Sequence, residues 1–397
     1  MPYCGLQKVS LGFSLLAVTV CAGIYVPAQS QRARVSTLEL GSYGWQPLPK
    51  RQSGQGGEWL GIFSQRVSID HKGRVLVGFT ARDNQGLGTR ERPGLFFHLL
   101  RFTSEGKLDI SLVSPTKDFF TNGFYLGAND QILVRANDTL QALSAGDEAG
   151  KEGMAWRVVS SCPGDCYIKQ SFSRRTMILI TFPGTDHSTY TILDTSSSPP
   201  RVEQTCSRMA FYGQRITDKF AYWAGEEGLE PFTRRFAFCD LDHPQELPLG
   251  WGGIFFALND DTFLRLGADY KHPRSAVEVA GSDGRIRFRH ELPEHDLPRH
   301  HGASWVTADE RGDRFAFIVD TWRGGSRLFD TSGKLVASRI LVYTDAGQEL
   351  ASVPVNTTIA DRTFGFFMSP DGQRLAILED AAVKVVDLEE VAKTDAR

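Results

Sequence analysis

No G-x-S-x-G nucleophile elbow, no G-x4-G-K-[ST] phosphate loop and no G-x-G-x-x-G fingerprint occurs anywhere in the 397 residues. Enzymes that announce their chemistry through one local motif are thereby excluded. Positive charge is not in excess either: 44 Lys and Arg face 47 Asp and Glu, a formal net charge of −3. Without a basic footprint, nucleic acid and anionic lipid are set aside as partners. Cysteine is scarce, with six copies, and apolar runs of membrane length are missing after Ala28. What the chain does have is phenylalanine, with 26 copies, in a composition that is 41% apolar and 23% charged, ordinary for a globular protein.

The segment from Met1 to Ala28 carries one cation, Lys8, then an apolar run from Leu11 to Val26 and a small-residue exit at Val26-Pro27-Ala28. Charge, length and exit chemistry are those of a secretory signal peptide, so export to the periplasm or the extracellular space is expected. An uncleaved amino-terminal anchor is the alternative, and membrane contact is expected only in that case. Removal of the leader leaves Cys162, Cys166, Cys206 and Cys239, an even count with three possible connectivities. Cys162-Pro-Gly-Asp-Cys166 is the favoured pair, because Pro-Gly turns the chain back on itself.

A polar turn followed by an apolar strand recurs seven times. Its first apolar positions are Val75, Ile132, Met177, Phe220, Phe263, Phe315 and Leu375. Strand repeats at such a spacing are the mark of a β-propeller, in which small sheets pack radially because none can bury its faces alone. Each copy is followed by a second strand and usually by a third, more polar one, such as Lys107–Val113 or Arg201–Ser207. Read as inner to outer strands, that gradient from apolar to mixed fits blades whose outer edges meet water. The last copy lacks its outer strand after Leu388, and Val35–Leu40 can supply it by pairing with Val383–Leu388. The reading is all-β: residues 1–28 as signal peptide, 29–57 as closing strand and loop, 58–390 as a seven-bladed β-propeller closed by the N-terminal strand, and 391–397 as tail. The step from Phe315 to Leu375 is the longest, and it is expected to be a blade with an insertion, with a partial extra blade as the alternative.

The turn Ser369-Pro370-Asp371-Gly372 followed by Gln373-Arg374-Leu375-Ala376-Ile377 resembles the repeat of the TolB-like, WD40-like and YVTN-type bacterial propellers. The Trp-Asp dipeptide and turn histidine of true WD40 blades are absent, so their internal hydrogen-bond network is not implied. The resemblance implies the fold. Its members include binding scaffolds, periplasmic partners of envelope complexes and a minority of hydrolases such as lactonases.

His290, His295, His300 and His301 invite a metal reading, but Pro293 and Pro298 prevent the helix that would align a zincin pair. An exposed loop between blades is expected there instead. Arg311-Gly312-Asp313 occupies the turn of the repeat, and neither Asn259-Asp260-Asp261 nor Asp240-Leu241-Asp242-His243 follows the EF-hand pattern. No catalytic residue, cofactor or metal site is assigned. The loops Ala81–Pro93 and Trp322–Ala337 follow corresponding strands and should emerge on one face, making Arg90, Arg92, Trp322 and Arg323 the expected members of a binding face. The expected function is a non-catalytic scaffold for a protein or small ligand. A periplasmic hydrolase or lyase with its site at the central channel is the alternative. Inward-facing acids and histidines would favour the enzyme, and an apolar channel the scaffold.

Overall fold

A computed structural model describes residues 35–40, most of 66–355 and most of 365–388, the gaps falling chiefly between strands. Residues 1–34, and with them the leader, lie outside the described residues. The described residues form seven four-stranded antiparallel sheets. The first strand, β1 (Val35–Glu39), belongs to the last blade. Blade 1 holds β2 (Arg66–Ile69), β3 (Val75–Arg82), β4 (Leu95–Phe102) and β5 (Leu108–Val113). Blade 2 follows with β6 (Phe124–Leu126), β7 (Ile132–Ala136), β8 (Thr139–Leu143) and β9 (Trp156–Ser161), and blade 3 with β10 (Tyr167–Gln170), β11 (Thr176–Thr181), β12 (Thr189–Asp194) and β13 (Arg201–Cys206). Blade 4 is β14 (Arg215–Ile216), β15 (Phe220–Glu227), β16 (Glu230–Ala237) and β17 (Gln245–Leu247), and blade 5 is β18 (Phe255–Ala257), β19 (Thr262–Leu266), β20 (Ala276–Gly281) and β21 (Ile286–Glu291). Blade 6 has the longest strands, β22 (Arg299–Ala308), β23 (Arg314–Arg323), β24 (Lys334–Thr344) and β25 (Glu349–Val355). Blade 7 takes β26 (Phe366–Met368), β27 (Arg374–Leu378) and β28 (Ala382–Asp387), with β1 as its outer strand.

One sequence expectation is corrected by this order. The apolar repeat is the second strand of each blade, not the innermost one. The true inner strands are short pieces of two to four residues in most blades, too brief to show any periodicity. The long step from Phe315 to Leu375 is a single blade, as expected, and not a partial extra one: its length goes in part into the elongated β24 and β25, hydrogen-bonded in the same sheet as β22 and β23.

Second strands are apolar on both sides because both sides are covered. On β3, Val75 and Val77 pack towards blade 7 while Leu76 packs towards blade 2, the period-2 alternation of a strand buried on two faces. The core accordingly divides into seven clusters, and each sits between two neighbouring blades, including one that joins blade 7 to blade 1. Phenylalanine fills these flat gaps: Phe315 and Phe317 stack against Tyr343 between blades 5 and 6, with Phe288 tilted against the same ring. Outer strands are exposed, as in β13, where five successive residues face water.

Closure joins the two expected segments. Val35 pairs with Val386, Leu38 with Val383 and Glu39 with Ala382, and Leu38 and Leu40 enter the cluster between blades 7 and 1. Two disulfides are present, Cys162–Cys166 as favoured from the sequence, and Cys206–Cys239, which ties the outer strand of blade 3 to the turn after β16 in blade 4. The C-x3-C loop is held by Arg135, which donates to the carbonyls of Cys162, Pro163 and Cys166.

Deleting residues 29–41 would remove two buried leucines and expose the edge of β28. The expected result is a fall in melting temperature on the order of 10 °C. An unchanged melt, measured calorimetrically on the full chain and the truncated form, would refute this role for β1.

Candidate functional site: the axial channel

The turn between the first and second strands of each blade sets the inner geometry. In blades 1, 6 and 7 a polar side chain opens the turn and accepts hydrogen bonds from the backbone that returns: Asp70 from Lys72 and Arg74, Asp309 from Asp313 and Arg314, Ser369 from Gln373 and Arg374. The fourth residue bonds back to the first and has positive φ, as in Gly73, Gly312 and Gly372. Glycine suits that slot because a Cβ is disfavoured in the left-handed region. Blades 2 and 3 break the rule with Asp130 at φ 63° and Arg174 at φ 62°. Both are charged, and both point to a role beyond making the turn.

Arg174 crosses the axis. From blade 3 its Nη2 donates to Ile69 O of blade 1 at 2.8 Å and to Met368 O of blade 7 at 3.5 Å. The guanidinium lies 5.1 Å from the Phe367 ring, and its Nη1 is buried without a hydrogen-bond acceptor. Burial lowers its pKa to about 10, against the pull of Glu310 and Asp130, so it stays charged at neutral pH. His71, in the turn of blade 1, spans the same end: Nδ1 lies 2.7 Å from Asp130 Oδ1 of blade 2, and Nε2 lies 2.9 Å from Glu310 Oε1 of blade 6. Hydrogen bonds first to Asp130 and then to Glu310 raise its pKa to about 10. With both ring nitrogens donating, His71 is an imidazolium clamp and not a general base. This end of the channel, the turn face, is plugged by paired charge.

The opposite end, where inner strands begin and second strands hand over to third strands, is built differently. Arg66 opens β2, buried, with its guanidinium 4.4 Å from the Tyr125 ring. Lys169 is on β10, and Arg215 opens β14, where its Nε donates to Phe255 O at 3.1 Å and its guanidinium lies 4.4 Å from the Phe256 ring. Burial lowers the pKa of Arg66, Lys169 and Arg215, and for Lys169 the like charge of Arg215 lowers it further. Pairing with the second strands places Arg66 and Tyr167 at one height, beside the bulge that frees Trp305 of β22 from the ladder. Trp305 has φ 46°, and Trp305 and Tyr167 remain 39% and 60% exposed on inner strands. A bulky residue held at positive φ beside a bulge is a backbone re-aimed to present its side chain.

Of the residues singled out from sequence, Arg90, Arg92 and His295 lie outside the described residues. Trp322 and Arg323 end β23, paired with His300 and Arg299 of β22. His300 and His301 are therefore strand residues, which corrects the expected loop. His290 lies on β21, its Nδ1 3.1 Å from the Tyr343 hydroxyl, and burial lowers its pKa. Among the described residues no group of three or more His, Cys, Asp or Glu side chains converges as a metal site requires. Arg311-Gly312-Asp313 is the turn of blade 6, and Asp260 serves the turn of blade 4 by accepting from Thr217. Among the described residues, the loop-face end of the channel carries Arg66 and Arg215 beside aromatic rings, with Lys169 on β10.

No family model matches the chain, and no curated protein sequence matches it. Among solved structures it is similar to the β-propeller domain of the Trilobed protease from Pyrococcus furiosus, at 10% identity and a TM-score of 0.42, over 76% of this chain and 100% of that one. It is also similar to an oligogalacturonate lyase in complex with manganese, at 11% identity and a TM-score of 0.33, over 83% and 98% of the two chains. A post-proline cleaving enzyme from Rickettsia typhi follows at 11% identity and a TM-score of 0.39, over 72% and 50%. These likenesses concern the fold alone.

The His71 clamp makes stability depend on pH. Its folded pKa is raised, so its contribution is full below the ordinary value of 6.5 and is lost as pH climbs to about 10. The melting temperature of the wild type should therefore fall across this window more steeply than that of His71→Gln. Parallel curves in thermal melts at closely spaced pH values would show the clamp to be energetically silent.

Proposed function

We propose that this propeller is an exported, non-catalytic scaffold that holds a ligand at the loop-face end of its axial channel. The observation that carries this reading is the distribution of charge along the axis. Arg66, Lys169 and Arg215 stand with aromatic rings on inner strands, while the His–carboxylate group that could run acid–base chemistry is consumed as a structural clamp at the other end. Trp322 and Arg323 end β23 at this same face, and Arg90 and Arg92 belong to the segment that follows β3. They are assigned here to the outer part of the binding surface. Two disulfides suit an oxidising compartment, in keeping with the leader read from the sequence.

The test is equilibrium dialysis of the full chain against a small-molecule extract of the source cells, followed by mass spectrometry. A compound should be retained by the wild type, lost from a Lys169→Ala, Arg215→Ala double variant, and recovered with its mass unchanged after prolonged incubation. Conversion of the retained compound to a product would replace the scaffold with the alternative, a hydrolase or lyase centred on the channel. Retention that ignores the double variant would move the site elsewhere.

A further inference from the structure

The channel cations fall into two groups, and only one is neutralised. At the turn face Arg174 and His71 have Asp70, Asp130 and Glu310 around them. Towards the loop face Arg215 gives its Nε to a carbonyl, yet among the described residues neither its remaining guanidinium nitrogens nor the Lys169 ammonium meets a carboxylate or a hydrogen-bond acceptor. Both side chains are half-buried on the neighbouring inner strands β10 and β14, and two like charges held there without a counter-charge raise the energy of the empty protein. An oxyanion placed between them would reverse that penalty, since each nitrogen group would gain a charge-assisted hydrogen bond. The planar fork of arginine and the point charge of lysine are complementary donors for carboxylate or phosphate oxygens.

The site is also recessed. Tyr167 and Lys169 lie two residues apart on one side of β10, so Lys169 starts about 7 Å deeper than the exposed tyrosine. Trp305 stands on the inner strand of blade 6, at nearly the same height as Tyr167. Rings at an entrance above half-buried cations suit a ligand with a flat or apolar body and an anionic end. A folded partner would have to bring its own backbone between those rings to place an acidic side chain this deep.

We propose that Lys169 and Arg215 form a binding site for the carboxylate or phosphate group of a small molecule, with Tyr167 and Trp305 at its entrance. This inference rests on the scaffold reading and names the chemistry of its ligand. The experiment is isothermal titration of the full chain with pyrophosphate, with citrate and with a neutral sugar. At least one oxyanion should bind, more weakly as salt is added, and Lys169→Met and Arg215→Met should each weaken it by roughly tenfold or more. The ligand-free Lys169→Met protein should melt slightly higher than wild type, because the repulsion between Lys169 and Arg215 has been removed. A merely structural lysine would give the opposite shift.

Binding of neither oxyanion at millimolar concentration overturns the proposal, as does a Lys169→Met variant that melts lower and binds unchanged. Binding of a glutamate-rich peptide but of neither small anion transfers the site to a macromolecular partner and equally overturns it. If dialysis recovers a neutral compound held in the channel, the anion inference fails while the scaffold reading stands; if it recovers nothing, both fall.

Discussion

Everything in this structure depends on the pairing of β1 with β28. A four-stranded sheet this thin cannot bury two apolar faces, so each of the seven blades is stable only between two neighbours. Six of the interfaces can form by following the chain; the seventh, between blades 7 and 1, joins segments from opposite ends of the sequence and is completed by Leu38 and Leu40. Because the strand that completes blade 7 comes from the start of the chain, the ring closes by backbone hydrogen bonds and by apolar packing at the same place. The turns of the inner strands reinforce it, through contacts such as Ser171 to Asp218 and Glu310 to Pro370 that pass from blade to blade.

A closed ring creates an axis, and the axis is where the charge is uneven. The net charge of −3 gives no hint of it. At the turn face, acids and cations from blades 1, 2, 3 and 6 converge and neutralise one another, so the plug is structural. At the loop face Arg66 and Arg215 are set against rings, and among the described residues Lys169 and Arg215 meet no carboxylate. Elsewhere the protein buries charge in matched sets, as with Glu278, which sits between Arg265 and Arg289 on three adjacent strands of blade 5. Lys169 and Arg215, half-buried and with no carboxylate partner among the described residues, stand out against that habit.

The repeat, the blade number and the closing strand are legible in the sequence because second strands are long, apolar and preceded by a turn with fixed chemistry. The inner strands are not. Arg215–Ile216 or Phe255–Ala257 is too short for alternation, and Arg66, Lys169 and Arg215 look like ordinary polar residues beside turns. They meet only because each blade contributes one residue to a common axis, a relation with no fixed sequence spacing. One signal does exist. Aligning the turns puts Asp130 and Arg174 in the slot that is glycine in blades 1, 6 and 7, and a charged residue accepting a left-handed backbone marks a position under a second demand. The histidine cluster misleads for the converse reason: residues near in sequence are split between β21 and β22, in different blades.

The Cys206–Cys239 bond has a mechanical consequence of its own. It encloses three of the four strands of blade 4, β14, β15 and β16, within one covalent loop. A backbone cut anywhere in that loop would leave the two fragments tethered across the rim, while the non-covalent clasp of β1 on β28 holds the far side. The wheel is thus latched at two separate points on its circumference, one by sulfur and one by hydrogen bonds, so nicking this arc would not by itself let the ring spring open.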